Sequence, residues 1–268
     1  IELAEKLALE AYKAKADVVK FQIYFAEELL VEKHPRFLHF KKQAFKEEEW
    51  IKLIQKTKKL GIKIYCDIFG EKALKLAKEL DVDGFKIHSS DLNNKYLLNA
   101  LLDIDSDKEI IISCGGSNIR EIYYALNILK NKNPITLMHG FQSYPTEVED
   151  SNLRRLDWLK YNFGDFCKIG YQDHVAGEDF FAYTLPLLAI FKGAEVIEKH
   201  IIIKTTSIYI DFIGKKGVEN SCKFKDSRMI SLFRSLYNEF TPGPQDSFFK
   251  YYGHNKSVYT VNSCHIND

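Results

Sequence analysis

The chain has 268 residues, 46% of them hydrophobic and 28% charged, enough to bury one large core of the kind an α/β barrel of roughly 250 residues encloses. Its 38 basic and 37 acidic side chains give a formal charge of +1, so charge gives no support to nucleic acid or an acidic membrane surface as partner and leaves a small molecule as the default ligand. The five cysteines, at 66, 114, 167, 222 and 264, are odd in number and lack paired spacing, which excludes a disulfide framework or a CxxC zinc site and points to a reducing cytoplasm.

The chain opens with IELAEKLALEAYKAKA, an amphipathic pattern with Leu3, Leu7, Ala11 and Ala14 on one helical face and no signal-peptide apolar region. No initiator methionine stands at position 1, and the natural N-terminus is expected upstream. No apolar run reaches the ~18 residues of a membrane span. The run from Asp17 to Tyr24 then alternates as a strand, with Val19, Phe21 and Ile23 on one face and Lys20 and Gln22 on the other. Residues 25–46, rich in aromatics and lysines, are expected to form a long irregular loop of the lid or binding type.

From there the unit repeats. Helix Glu47 to Leu60 ends at Gly61 and is followed by strand Ile62 to Asp67 and helix Glu71 to Leu80. Strand Gly84 to His88, helix Tyr96 to Leu102, strand Ile110 to Ser113 and helix Arg120 to Lys130 come next. Strand Ile135 to His139 and helix Asn152 to Phe163 precede two more strands, centred near 169 and 198, with a helix between them. Alternation at this spacing implies parallel pairing, and polar residues gathered at the strand ends favour a (β/α)8 TIM barrel over an open sheet. Seven strands are counted, so the missing one is expected upstream of Ile1. Ile201 to Gly217 reads as a loop carrying Asp211, and Phe224 to Phe240 as a helix broken by Thr241-Pro-Gly-Pro244. The barrel domain is assigned to residues 1–240 and a tail without clear periodicity to 241–268.

The last two strands carry the sharpest signal. Gly170, Gln172 and His174 share one face by the two-residue period, as do Val196, Glu198 and His200. A right-handed crossover between parallel strands makes His174 and His200 neighbours although they lie 26 positions apart. Two imidazoles suit a borderline divalent cation with open positions for water or substrate, and such a site is catalytic more than structural. The alternative is that both histidines hydrogen-bond to carboxylates such as Glu198 and bind no metal. Lys20 and Lys86, on the polar faces of their strands, are costly to bury unpaired, and an anionic ligand is their simplest partner. The SCGGSN turn from Ser113 to Asn118 offers backbone N–H groups to such an anion, although ordinary helix capping explains it equally well.

Taken together, Lys20-Phe-Gln22, Lys86-Ile-His-Ser89, Ser113 before a glycine, Tyr144-Pro-Thr146, Gly170-Tyr-Gln-Asp-His174 and Glu198-Lys-His200 resemble the N-acetylneuraminate (sialic acid) synthase family over Ala11 to about Asp211. The resemblance implies a cytoplasmic barrel enzyme that condenses phosphoenolpyruvate with the open-chain aldehyde of an N-acetylated amino sugar and releases phosphate by C–O cleavage. It implies Mn²⁺, with Mg²⁺ or Co²⁺ as alternatives, on His174 and His200, and Glu198 beside it. Lys20, Lys86, Ser89 and Ser113 would hold phosphoenolpyruvate, Lys20, Lys86 and Glu198 being the catalytic set. Gln22, Gln142 and Gln172 would line the substrates, with Tyr144, Asp91 and Asp211 facing the sugar. A homodimer is expected, with no nucleic acid and no membrane. The chain departs from the family pattern at Gln142, Gln172 and Asp91, where asparagine, serine and glutamate are usual, and at Ser207-Ile-Tyr-Ile210 before Asp211. The family's first-strand glutamate and its antifreeze-like C-terminal domain find no counterpart between Ile1 and Asp268. A legionaminic or pseudaminic acid synthase, and a degenerate barrel kept as a binding module, are the alternatives.

Overall fold

Alternation along the strands decides which side chains meet which layer of this protein. The computed structural model describes residues 1–129, 132–177, 179–204, 207–209 and 256–261. Asp211 and the helix expected over Phe224 to Phe240 lie outside the described residues. Helix α1 (Glu2–Lys13) buries Ala4, Leu7, Ala8 and Ala11, the apolar positions of its 3.6-residue period, and leads into β1 (Val18–Tyr24). Two short helices, α2 (Ala26–Leu29) and α3 (Phe37–Gln43), then occupy the stretch expected to be irregular. Ala26 and Phe37 are buried and Phe40 meets Tyr24 edge-on at 5.7 Å, so a few anchors order a segment too short for periodicity to reveal.

The repeating part follows as α4 (Glu47–Lys58), β2 (Lys63–Phe69), α5 (Glu71–Glu79), β3 (Gly84–Ile87), α6 (Lys95–Ala100), β4 (Glu109–Ser113) and α7 (Ile119–Leu129). It continues through β5 (Ile135–His139), α8 (Arg154–Phe163), β6 (Lys168–Gln172), α9 (Phe181–Phe191) and β7 (Val196–Lys204). Gly61, at φ +78°, supplies the left-handed residue that ends α4 and turns the chain into β2. Each strand from β1 to β7 pairs parallel with the next, giving a curled sheet of seven parallel strands with helices outside.

Two findings differ from the sequence expectation after β7. The loop expected from Ile201 begins as strand: β7 runs to Lys204 and β8 (Ser207–Tyr209) pairs back on it antiparallel. Within the tail that shows no clear periodicity, β9 (Lys256–Val261) pairs parallel with β1 on one side and β7 on the other. The place beside β1 expected to need a strand from upstream of Ile1 is thus filled by Lys256–Val261. A six-residue strand flanked by polar and aromatic residues carries too little alternation to stand out.

Outward-facing strand residues, among them Val19, Phe21, Ile64, Ile68, Ile112 and Leu137, join Leu53, Ile54, Leu74 and Leu126 of the helices in one buried core. Inside the curl, Val18, Tyr65, Ile111, Met138 and Val196 form a second, smaller apolar cluster. Beside it Glu109 accepts hydrogen bonds from the Tyr65 hydroxyl and the Thr136 hydroxyl, each at 2.6 Å, a satisfied polar floor under the curl. Among the described residues no helix is long and apolar enough to cross a membrane.

Candidate active site

Two residues beyond four of the five members of the inner apolar layer, the inward positions turn polar. Lys20 follows Val18, Asp67 follows Tyr65, Ser113 follows Ile111 and Glu198 follows Val196; Lys86 and Gln172 follow Gly84 and Gly170. All six are buried, at 4% exposure or less, and each comes from a different parallel strand. The strand period therefore delivers side chains from six strands to one layer.

The centre of that layer is an ionic network. Lys20 Nζ lies 3.2 Å from Asp67 Oδ2 and 3.7 Å from Glu198 Oε1, while Lys86 Nζ lies 2.7 Å from Glu198 Oε1 and 3.9 Å from Asp67 Oδ2. Within the chain itself, both lysines are thus paired with carboxylates. Two ammonium groups taken out of water need counter-charges in the protein itself, and Asp67 and Glu198 supply them. Burial lowers the pKa of Lys20 in spite of the attraction of Glu198 and Asp67. For Lys86 the same two carboxylates outweigh desolvation and the pKa rises. Glu198 resists desolvation through Lys20 and Lys86, which hold its carboxyl well below the usual carboxylate range. Each carboxylate keeps one buried oxygen, Asp67 Oδ1 and Glu198 Oε2, without a hydrogen-bond partner in the described structure.

Amides tie the network to the β4 end. Gln172 Oε1 accepts from Lys86 Nζ at 3.0 Å and from Ser113 Oγ at 3.2 Å, and Gln142 Nε2 donates to Ser113 Oγ at 3.2 Å. The packing is close because the backbone there is glycine: a Cβ on Gly140 would lie 2.1 Å from Gln172 Cγ, and one on Gly115 would lie 1.8 Å from the Gly140 carbonyl oxygen.

His174 and His200 come next along β6 and β7, both buried, with ring centroids 5.3 Å apart. The crossover through α9 thus brings them together as expected. His174 Nδ1 is 2.6 Å from the Phe141 carbonyl oxygen, a backbone partner that fixes the ring. Desolvation drives the His174 pKa down to about 3, and burial with His174 alongside takes His200 well below the ordinary imidazole value. Both rings are neutral at physiological pH. The Tyr144 ring stacks on His174 at 4.1 Å and meets His200 edge-on at 5.5 Å. Desolvation raises its phenol pKa, which keeps it a hydrogen donor.

The remaining expected residues sit farther out. Gln22 is half-buried on β1, in register with Asp67. Ser89 is half-buried in the turn after β3, and the Asp91 carboxylate accepts from Asn94 Nδ2 at 3.1 Å and Ser90 Oγ at 3.3 Å, so it is engaged in its own loop. Two further features carry no signal in strand-end reasoning. Arg155 Nη2 donates to the carbonyl oxygens of Ser117 at 2.6 Å and Cys114 at 3.4 Å, pinning the SCGGSN turn from α8. Lys199 forms a buried ion pair with Asp173, and both stand one position before the histidines.

A divalent cation fits this corner on donor chemistry. Two neutral imidazoles present ring nitrogens beside the ionised Glu198, whose Oε2 is buried and unsatisfied. Among the described residues no group of three or more histidine, cysteine or acidic side chains is placed to hold a metal ion, so the two imidazoles are the donors this corner would offer.

Comparison with known proteins gives consistent results. The NeuB family model matches residues 7–213. The uncharacterized protein MJ1065 of Methanocaldococcus jannaschii is 35% identical over 202 residues, 75% of this chain and 57% of that protein. The N,N'-diacetyllegionaminic acid synthase of Campylobacter jejuni is 32% identical over 218 residues, 75% of this chain and 63% of the relative. The chain therefore spans less than two thirds of the length of either. The crystal structure of an N-acetylneuraminic acid synthetase from Leptospira borgpetersenii in complex with citrate superposes with a TM-score of 0.76 at 31% identity, covering 91% of this chain and 81% of that one.

Proposed function

The chain belongs to the NeuB family, and on that premise we propose that it joins phosphoenolpyruvate to the open-chain aldehyde of an N-acetylated amino sugar of the N-acetylmannosamine type. In this reaction C3 of phosphoenolpyruvate bonds to the aldehyde carbon, water adds at C2, and the C2–O bond to phosphate breaks. The products are a nine-carbon 2-keto sugar acid and inorganic phosphate. One observation carries the reading: two buried lysines from β1 and β3 share a layer with Glu198, and two neutral imidazoles stand one inward position further along β6 and β7 of the curled parallel sheet.

In this reading Lys20, Lys86, Ser89 and Ser113 hold the phosphate and carboxylate of phosphoenolpyruvate, with Gln22 and Gln142 at the margin of the pocket. Glu198 stays ionised between the lysines and keeps them aimed inward, so its contribution is electrostatic and not proton donation. His174 and His200 would hold a divalent cation, Mn²⁺ first and Mg²⁺ or Co²⁺ as alternatives, which when bound polarises the aldehyde. Tyr144 closes over the imidazoles and restricts water on the sugar side. Asp91 and Asp211 are assigned to the sugar, Asp211 lying outside the described residues.

The test is phosphate release by the purified chain with Mn²⁺. Release is expected only when phosphoenolpyruvate and an amino-sugar aldehyde are both present, and Lys86→Ala should lower it by about tenfold or more, an effect of about 1.4 kcal/mol. Phosphoenolpyruvate consumption that no sugar stimulates would contradict the proposal. Binding without turnover would favour the binding-module reading. The similarity to the Campylobacter enzyme makes an N,N'-diacetylated amino-sugar aldehyde the second substrate to assay.

A further inference from the structure

We infer that Gln172 stands in the place of a ligand oxygen and limits how tightly the anion site binds. The inference rests on the reading above, in which Lys86 and Ser113 hold phosphoenolpyruvate, and concerns what those two donors do beforehand.

A serine hydroxyl has one hydrogen to give. Gln142 Nε2 donates to Ser113 Oγ at 3.2 Å, so that hydroxyl acts as acceptor on one side and sends its hydrogen to Gln172 Oε1, also at 3.2 Å. Ser113 then has no hydrogen left for an incoming anion. Lys86 gives one of its three hydrogens to Glu198 Oε1 at 2.7 Å and another to Gln172 Oε1 at 3.0 Å. The single oxygen of Gln172 therefore bridges the lysine of β3 and the serine of β4, the position a phosphate or carboxylate oxygen would take.

The amide is built in place. Gln172 is 2% exposed, and its stem lies against Gly140, where any Cβ would come within 2.1 Å of Gln172 Cγ. Being neutral, the amide satisfies both donors without adding a charge to a network of two lysines and two carboxylates. An anion must break the Ser113 bond to use that hydroxyl, and the Lys86 bond to bridge the two donors as Gln172 does. Affinity is accordingly the difference between what the ligand gains and what Gln172 gives up.

The test is calorimetric titration of phosphoenolpyruvate, and separately of inorganic phosphate, into the full chain, Gln172→Ser and Gln172→Asn. Serine removes the bridging oxygen, and asparagine withdraws it by one methylene while keeping a buried amide, so asparagine decides if the serine chain does not fold. Both variants should bind both anions about tenfold more tightly, about 1.4 kcal/mol, while a purely structural role would lower the unfolding temperature and leave Kd unchanged. Equal or weaker binding by a folded variant, with wild type binding normally, overturns the inference alone. Failure of wild type and variants alike to bind either anion overturns the functional reading and this inference with it.

Discussion

His174, His200, Lys20, Lys86 and Glu198 were legible as single letters because strand alternation sends each to the inner face, and the sheet brings all five together. Asp67, at the end of its strand, was visible too, but its pairing with Lys20 depends on a separation of 47 positions that no local pattern encodes. Asp173 and Lys199 were not legible, since alternation assigns them to the outer face, where apolar side chains are the rule. There Asp173 Oδ1 also accepts from the Tyr171 hydroxyl at 3.2 Å, and Lys199 Nζ donates to the Ala182 carbonyl oxygen at 3.0 Å, fastening β6 and β7 to α9. Removing one partner leaves a buried charge uncompensated. Lys199→Met should therefore destabilise the protein by about 3–5 kcal/mol, and Asp173→Asn in the same chain should restore a large part of the loss. Denaturant unfolding measures both, and a loss under about 1 kcal/mol for the single variant would show that the pair is not structural.

At the scale of elements, helices α4, α5, α7 and α8 follow the apolar period closely enough that their place outside the sheet could be read from spacing. The short helices α2 and α3 could not, being 4 and 7 residues long and ordered by tertiary anchors. The turn after β4 illustrates a further limit. Its SCGGSN pattern reads equally as an anion loop or a helix start, and Asn118 does cap α7, its Oδ1 accepting from the backbone N–H of Arg120 at 2.9 Å and of Glu121 at 3.1 Å. What spacing does not show is why the glycines differ. Gly116 is at φ +79° with open space around it, whereas Gly115 lies where a Cβ would be 1.8 Å from the Gly140 carbonyl oxygen. Gly115→Ala must displace backbone and should lower stability by about 1–3 kcal/mol, the range of an overpacked site. A thermal melt with an unchanged midpoint would refute that close approach.

At the scale of the whole molecule, the parallel α/β plan was readable because strands and helices alternate over some 200 residues, from β1 to β7. The partner of β1 opposite β2 was not, because it comes from Lys256–Val261, far along the chain in a stretch of weak alternation. Such a plan gathers strand ends at one rim, and the functional account depends on His174 and His200 acting there as one site. Titration of Mn²⁺ into the full chain, followed by the loss of the free-ion electron paramagnetic resonance signal, measures this directly. The account predicts one bound ion per chain, with affinity lowered about tenfold or more in both His174→Ala and His200→Ala, the scale on which metal sites respond even to lesser changes around their ligands. Undiminished Mn²⁺ binding by either folded variant would contradict it.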